Sequence, residues 1–389
     1  MSDGSPRVAV VGGGAIGTST LFHLVDRQDV EDAILFEKNQ LGSGSTSRAA
    51  GGIRNTFTSE LNVAMGRRNI DFFANFEERV GRELEFRQTG YDYLFHSESA
   101  EADWRDRKAF FDEHGVASEL RSPAETADLF PPLDPSAIRG SLLGTDCGHV
   151  DPHTLTQAFA GAAVDRGATV ETKTEVRDVH TDDGGVTAVE TEDDRHEVDY
   201  VVDAAGPWAG RVARTVGLDV PLELLVRKIM VTSALETDAD APLFIDPELN
   251  CYFLPEQNGS LLVCDMDQDV HDVEDPDAVQ SGEIGYDYYL DASEKLEQLV
   301  PAITELDVIN GWAGLQTHTP DKHAIVGPTP VEGFLIACGF SGHGVQQSPS
   351  VGAALADLVA TGETDIFDVS HLALERFDSD TQIEPEGMN

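Results

Sequence analysis

The sequence predicts an α/β fold: a discontinuous nucleotide-binding domain with a second, α+β domain threaded through it. Three observations predict it. The chain opens on a strand, a glycine turn, a helix and a second strand within residues 7–37, which is a β-α-β unit. Glycine-rich strand-to-helix punctuation recurs at Gly206 and again over 339–344, so early, middle and late segments must meet around one ligand. The chain has 389 residues, 40% of them hydrophobic, which suffices for two ordinary domains with real cores.

The elements follow in order. Arg7–Val11 is a β-branched run ending in glycines, the pattern of a buried parallel strand. Residues 15–25 carry apolar side chains at helical spacing, and 33–36 form a second strand closing on Glu37. Residues 41–52, rich in Gly, Ser and Thr, predict a loop. Leu61, Met65, Phe72, Phe73, Phe76 and Val80 recur near the helical period and predict one amphipathic helix over 61–80. Residues 86–145 mix short strands with an acidic helix near 101–114, and Ser122 before Pro123 and Glu125 signals a helix start. A helix over 153–165 precedes strands at Thr169–Thr172, 186–190 and 198–202. Residues 222–233, 251–254 and 261–264 read as sheet, and the acidic stretch 267–287 as a surface loop. The rest predicts a helix over 290–300, a turn at 326–330, a strand at 334–337, a long helix containing 351–359, and a frayed polar tail from 378.

Composition excludes whole classes of function. Lys plus Arg number 26 against 71 Asp plus Glu, a formal net charge of −45. Such a surface repels nucleic acid and anionic membranes. The basic residues are 6 Lys and 20 Arg. Excess carboxylate with scarce Lys points to a halophilic source, where salt screens self-repulsion. Cys147, Cys251, Cys264 and Cys338 show no CxxC spacing, so neither a zinc site nor a redox pair is expected. No signal-peptide layout and no long apolar run are present, so the expectation is a cytoplasmic protein without an integral membrane segment.

Four motifs carry the chemistry. Gly12, Gly14 and Gly17 form GxGxxG between a strand and a helix. Gly12 permits the turn, Gly14 lets backbone approach a pyrophosphate at the helix N-terminus, and Gly17 permits close helix–strand packing. Glu37 stands at the end of the second strand, where a carboxylate accepts ribose hydroxyls and disfavours a 2′-phosphate. The loop Gly42-Ser43-Gly44-Ser45-Thr46-Ser47-Arg48 offers amides, hydroxyls and a cation for further phosphate or polyol contacts. Val201 to Trp208 runs an apolar strand into Ala204, Ala205, Gly206 and Pro207, the form of a strand end packed on a ligand or of a plain strand-to-helix turn. Gly339, Gly342 and Gly344 surround His343 between a strand and a helix, whose N-terminus can stabilise negative charge.

These residues resemble a known family. Residues 8–17 (VAVVGGGAIG) with Glu37, 42–54 (GSGSTSRAAGGIR), 201–209 (VVDAAGPWA), 317–328 (THTPDKHAIVGP) and 339–359 (GFSGHGVQQSPSVGAALADLV) occur in the order found in FAD-dependent amine and amino-acid oxidoreductases of the D-amino-acid oxidase superfamily. The stretch 148–168 fits too, and the resemblance covers nearly the whole chain. The branch of sarcosine oxidase, glycine oxidase and dimethylglycine dehydrogenase is nearest. The wording of 49–57 and 339–349 is similar to FAD-dependent oxidoreductase domain proteins associated with respiratory-complex assembly.

The resemblance implies a Rossmann-like FAD-binding domain over 1–85, 146–220 and 310–389, and a substrate domain with an antiparallel sheet over 86–145 and 221–309. It implies FAD contacts from Gly12, Gly14, Ala15, Ile16, Gly17, Glu37 and Lys38, then from Ser45, Thr46, Arg48, Val176, Ala205 and Gly206, and at the isoalloxazine from Gly339, Gly342, His343, Gly344 and Val345. Arg54 matches the basic residue that pairs with a substrate carboxylate, a task suited to a bidentate guanidinium. Tyr252 is expected to wall the substrate pocket, and His343 is counted with the reaction centre as the flavin's neighbour. The implied reaction is oxidation of the C–N bond of a small amino acid or N-methyl amino acid by hydride transfer to flavin N5. An FAD-binding assembly or scaffold role is the alternative.

Three departures qualify the resemblance. Residues 311–319 hold no Cys, and 42–54 hold no His, so FAD is expected to be noncovalent. No Lys lies between Lys228 and Lys295, where the family's oxygen-activating Lys belongs. A quinone or an electron carrier then becomes an acceptor to set beside O2. Gln346 stands where the family places a second carboxylate-binding Lys.

Overall fold

The computed structural model describes residues 5–27, 29–30, 32–235, 240–270, 273–279 and 284–378. The predicted tail from 379 onward and parts of the 267–287 stretch lie outside these residues. The predicted α/β class holds. A six-stranded sheet runs Ile325–Pro328, Phe334–Cys338, Tyr200–Asp203, Arg7–Val11, Asp32–Glu37, Thr169–Thr172, parallel except for the pairing of its first two strands. Val8, Ala9 and Val10 are fully buried in its centre, as a β-branched run with both faces covered should be.

Close approach fixes how the helices cover this sheet. A Cβ on Gly17 would lie 1.9 Å from the Gly12 carbonyl oxygen, so helix Ala15–Asp26 sits directly on the turn that precedes it. A Cβ on Gly352 would meet Ser19 Oγ at 2.5 Å, which lets helix Gly344–Thr361 pack on the first helix. Ser19 Oγ donates to the Ser348 carbonyl at 2.7 Å across that seam, satisfying a buried hydroxyl.

The second sheet has eight strands: Val308–His318, Glu223–Thr232, Leu261–Asp265, Cys251–Pro255, Leu243–Asp246, Tyr91–Phe95, Gly140–Gly144 and Ser118–Arg121. It is antiparallel apart from the pairing of Leu243–Asp246 with Tyr91–Phe95. One face buries Phe130, Phe244 and Phe253 under helix Tyr286–Glu297. The other carries Tyr91, Tyr93, Arg227 and Tyr252 towards the parallel sheet. Among the described residues, no helix is long and apolar enough to cross a membrane.

The structure corrects the sequence reading at several elements. The helix predicted over 61–80 is two, Glu60–Ala74 and Phe76–Val80. Asn75 breaks it, because its side chain donates to the Asp71 carbonyl at 2.8 Å and offers the backbone a local alternative. The turn expected at 326–330 is largely strand Ile325–Pro328; Gly327 and Pro328 suggest a turn but are tolerated on an edge strand. The longest strand, Val308–His318, was not anticipated, because Gly311 and Gly314 hide its alternation. The acidic 267–287 stretch is not all surface loop: Asp269 is buried against Arg227, and Tyr286 starts a helix.

Asp203 ends the strand Tyr200–Asp203 at 0% exposure. Its Oδ1 accepts from the Ala205 amide at 3.1 Å, while Oδ2 has no partner among the described residues. Burial raises its carboxyl to about 8. A carboxyl raised above its unfolded value contributes stability that is fully present below about pH 4 and is lost by about 1.4 kcal/mol per pH unit towards about pH 8. Asp203→Asn mimics the neutral acid. Denaturant unfolding of both proteins should show the variant gaining on the wild type as pH rises from 4.5 to 7.5; parallel profiles would contradict a buried neutral carboxyl.

Candidate active site

A cavity of about 1340 Å³ lies between the carboxyl ends of the parallel strands and the inner face of the eight-stranded sheet. It exceeds the ~300–1,000 Å³ of an ordinary small-molecule pocket. Its lining inverts the balance of the chain. Eight Lys and Arg face it against six Asp and Glu, where the chain has 26 against 71. Positive charge has been gathered where anionic groups are to be held.

One end suits a nucleotide. Gly12 has φ +109°, and a Cβ there would strike the Ala204 carbonyl oxygen at 2.4 Å, so only glycine serves this crossing. The helix that follows begins at Ala15 with no side-chain cap from Gly14. Its Ala15 amide donates to Thr46 Oγ1 at 3.1 Å, which brings the 42–48 loop onto the positive helix end. Ser45 Oγ is buried there with no partner among the described residues. Glu37 accepts from the Gly13 amide at 2.8 Å and the Asn39 amide at 2.7 Å, which fixes its carboxylate at the strand end.

A strap from the second sheet closes this end. Asp277 Oδ1 accepts from Lys38 Nζ at 2.9 Å and from Trp208 Nε1 at 2.9 Å. Its Oδ2 accepts from Arg211 Nη1 at 2.5 Å, and Asp275 takes Arg211 Nη2. Lys38 Nζ stands 3.7 Å above the Trp208 ring. Burial works against the Asp277 charge, but Arg211, Lys38 and Trp208 outweigh it and hold the carboxyl at about 2.

The other end is built around Arg54, 5% exposed. Its Nη1 donates to the Thr56 carbonyl at 2.6 Å and lies 3.3 Å from Tyr93 Oη. Its Nη2 lies 3.0 Å from His343 Nε2. A guanidinium only donates, so His343 accepts at Nε2 and carries its proton on Nδ1. The Arg54 amide donates to Gln346 Oε1 at 2.9 Å. The Phe57 ring lies 4.2 Å below the guanidinium. Tyr93 Oη is 2.7 Å from Thr56 Oγ1, and burial pushes its phenol up. His343 caps helix Gly344–Thr361, and Gly342 before it has φ +85° with the Gln316 amide against it.

The predicted residues divide. Gly12, Gly14, Ala15, Ile16, Glu37, Lys38, Ser45, Thr46, Arg48, Val176, Ala205, Gly206, Gly342, His343, Gly344, Val345, Arg54 and Tyr252 all line the cavity. Gly17 and Gly339 do not. Gly17 serves helix packing, and Gly339, at φ +68°, turns the chain against Thr319 and Leu222. Arg48 is on the wall, but its Nη1 donates to the Ala313 carbonyl at 2.7 Å. Sequence reasoning missed Tyr91, Tyr93, Trp104, Arg227 and Gln316, which also line it. The alternation Tyr91-Asp92-Tyr93 was the available signal, since period two sends both tyrosines to one face.

Comparison with known proteins decides the family. The family described as FAD dependent oxidoreductase matches residues 7–358. The chain belongs to this family. It is 29% identical over 386 residues to the mitochondrial dimethylglycine dehydrogenase of Mus musculus, covering 95% of this chain and 44% of that protein. The chain therefore spans less than half the length of that relative. Its fold matches L-proline dehydrogenase from P. horikoshii with TM-score 0.89 and 26% identity, over 96% of this chain and 98% of that one. It matches glycine oxidase from Geobacillus kaustophilus with TM-score 0.84 and 25% identity, over 95% and 98%.

FAD is accordingly the cofactor, and the residues present fit it. The Gly12 crossing, the positive end of helix Ala15–Asp26 and the Ser45 hydroxyl, which has no partner among the described residues, fit an anion cradle. Glu37 suits a ribose. If the strap covers bound FAD, Asp277→Ala should release it faster and raise its Kd about tenfold, or ~1.4 kcal/mol. Flavin fluorescence after dilution reads this directly. An unchanged release rate would show that the strap only joins the two sheets.

Proposed function

We propose that the protein oxidises the C–N bond of a small amino acid or N-methyl amino acid. One observation carries this reading: a guanidinium buried inside the cavity and held in one orientation by Thr56, Tyr93 and His343. A buried guanidinium held in a fixed orientation offers a carboxylate a directional, charge-assisted contact. A substrate carboxylate is the ligand that such a contact suits. Bound FAD takes up two electrons and a hydrogen from the substrate's C–H bond. Arg54 fixes the carboxylate, so the substrate's nitrogen and adjacent carbon are presented in one pose. Tyr252 and Ile229 line the same cavity and would wall the substrate's side. Overall, amine, FAD and water give a shorter amine, a carbonyl compound and reduced FAD. No base is required of the chain when the amine binds unprotonated.

The division proposed is FAD contacts from 1–85, 146–220 and 310–389, and substrate contacts chiefly from 86–145 and 221–309. We read FAD as noncovalent. Gly314 lies in the segment 311–319 that lacks a Cys, and Arg48 fills the space where its side chain would be. A quinone or electron carrier as acceptor is part of the same reading.

The test is anaerobic titration of the FAD-loaded protein with sarcosine, glycine, proline and D-amino acids. Bleaching of the oxidised-flavin band by one of them supports the proposal, and its return on admitting air separates oxidase from dehydrogenase. A flavin that stays yellow throughout would overturn it in favour of an assembly or scaffold role. Arg54→Met should retain FAD but raise KM at least 100-fold, about 2.7 kcal/mol, because the carboxylate loses a buried charged partner. Arg54→Lys should recover only part of this, since an ammonium cannot bind side-on. Equal KM values in all three proteins would remove Arg54 from the site.

A further inference from the structure

A second pocket, of about 190 Å³, opens where helices Ala15–Asp26, Glu60–Ala74 and Gly344–Thr361 meet. It shares no lining residue with the large cavity. His23, on its wall, stands eight residues beyond Ala15 on the first helix. At 1.5 Å per residue that is about 12 Å from the helix end assigned to FAD.

The charges around it do not cancel. Arg27, Arg68 and Arg79 line the pocket against Asp26 and Asp357. Both carboxylates are engaged: Asp26 with Arg166 at 3.0 Å, and Asp357 with Arg27 and with Thr364. Arg79 pairs with Asp71. Arg68 is exposed and has no ion-pair or hydrogen-bond partner among the described residues. In a chain with 71 acidic residues against 26 basic ones, its guanidinium is left without a carboxylate.

Buried donors face the same space. Asn69 is 1% exposed. Its Oδ1 accepts from the Ser350 amide at 3.1 Å and from Ser350 Oγ at 2.6 Å. A backbone amide can only donate, so the Asn69 oxygen must be the atom facing Ser350. Nδ2 is then the atom left over, and it is buried with no partner among the described residues. His23 Nε2 is also buried with no partner among them. The His23 ring is hemmed in by Phe22 and Phe72, with ring centroids 5.0 and 5.8 Å away. Burial, reinforced by the Arg68 charge, holds this imidazole at about 3. The ring is therefore neutral, and Nε2 is free to carry its one proton. Buried polar groups in folded proteins nearly always find partners, so two left over on one small pocket call for a ligand that accepts.

We infer that this pocket binds a tetrahedral oxyanion, phosphate being the simplest, between Arg68, Asn69 Nδ2 and His23 Nε2. The space far exceeds the ~10–15 Å³ that one water needs. Several oxygens on one centre can accept from both helices at once, which a halide ion cannot do. Because Asn69 also holds Ser350, an anion here pins the first helix to the second and, through it, to the last. A ligand that binds only the folded chain stabilises it. This site is independent of the proposed amine oxidation.

The experiment is titration calorimetry of the FAD-loaded protein with inorganic phosphate, at constant ionic strength in KCl. One phosphate should bind with a Kd below about 1 mM. The Tm should be higher in about 10 mM phosphate than in KCl of equal ionic strength. Arg68→Gln should raise Kd by about tenfold or more. Asn69→Asp keeps an acceptor for Ser350 and puts an anionic oxygen in place of Nδ2, so it should abolish binding. Arg68 is exposed, so its variant should keep the wild-type flavin spectrum and Tm in KCl, and it decides the matter even if Asn69→Asp does not fold. Glycerol 2-phosphate is titrated beside phosphate. Tighter binding of the ester marks the phosphate group of a larger ligand, weaker binding marks the free ion, and both support an oxyanion site. Absence of saturable binding up to about 20 mM phosphate overturns the inference. So does a Kd unchanged in Arg68→Gln, which would put the anion elsewhere. Chloride that competes equally with phosphate would reduce the site to a patch of positive charge, and overturns it too.

Discussion

A guanidinium taken out of water at the seam between two sheets is the constraint on which the rest of this structure depends. Arg54 leaves the short strand Gly52–Ile53 and must find donors' partners at once or cost several kcal/mol. It finds them on three separate pieces of chain: the Thr56 carbonyl, Tyr93 on the eight-stranded sheet, and His343 at the start of the last long helix. The Thr56 bond is local, while those to Tyr93 and His343 tie the eight-stranded sheet and the last long helix to the same point. Gln346 adds a fourth tie through the Arg54 backbone. The eight-stranded sheet and the last long helix are therefore joined through the group proposed to hold the substrate.

The opposite end of the cavity is governed by contact distance instead. The Gly12 and Gly17 crossings are closer than any side chain permits, and they place a helix N-terminus beside the 42–48 loop. The strap at Asp275 and Asp277 then spans from the second sheet to Lys38, Trp208 and Arg211. In a chain of net charge −45, these few basic residues are concentrated around the cavity. The basic residues of the cavity wall offer cations to a small anionic ligand.

Much of the nucleotide end was legible in the sequence, because its signals are local. A glycine turn between a β-branched strand and a helix can be read within a few residues, and so can an acid at the next strand end. The flavin-side glycines were legible for the same reason, although Gly339 proves to serve the turn and not the cavity wall. The substrate end was less legible because it is made by pairing at long range. Tyr93 meets Arg54 only once Tyr91–Phe95 joins Leu243–Asp246, and Asp269 meets Arg227 only through the Val226–Val270 bridge. Strand Val308–His318 was hidden by glycines whose positions make sense only beside Arg48 and Tyr289. Asn75 broke a helix that hydrophobic period alone would have continued.

The central claim is that Arg54 anchors a substrate carboxylate beside FAD. A crystal structure of the FAD-loaded protein soaked with a carboxylate that cannot be oxidised tests it most directly. The account predicts that carboxylate within hydrogen-bond distance of the Arg54 guanidinium, on the Tyr252 side of the flavin, with the pyrophosphate at the Ala15 helix end. A carboxylate bound elsewhere in the cavity, out of reach of the Arg54 guanidinium, would contradict it.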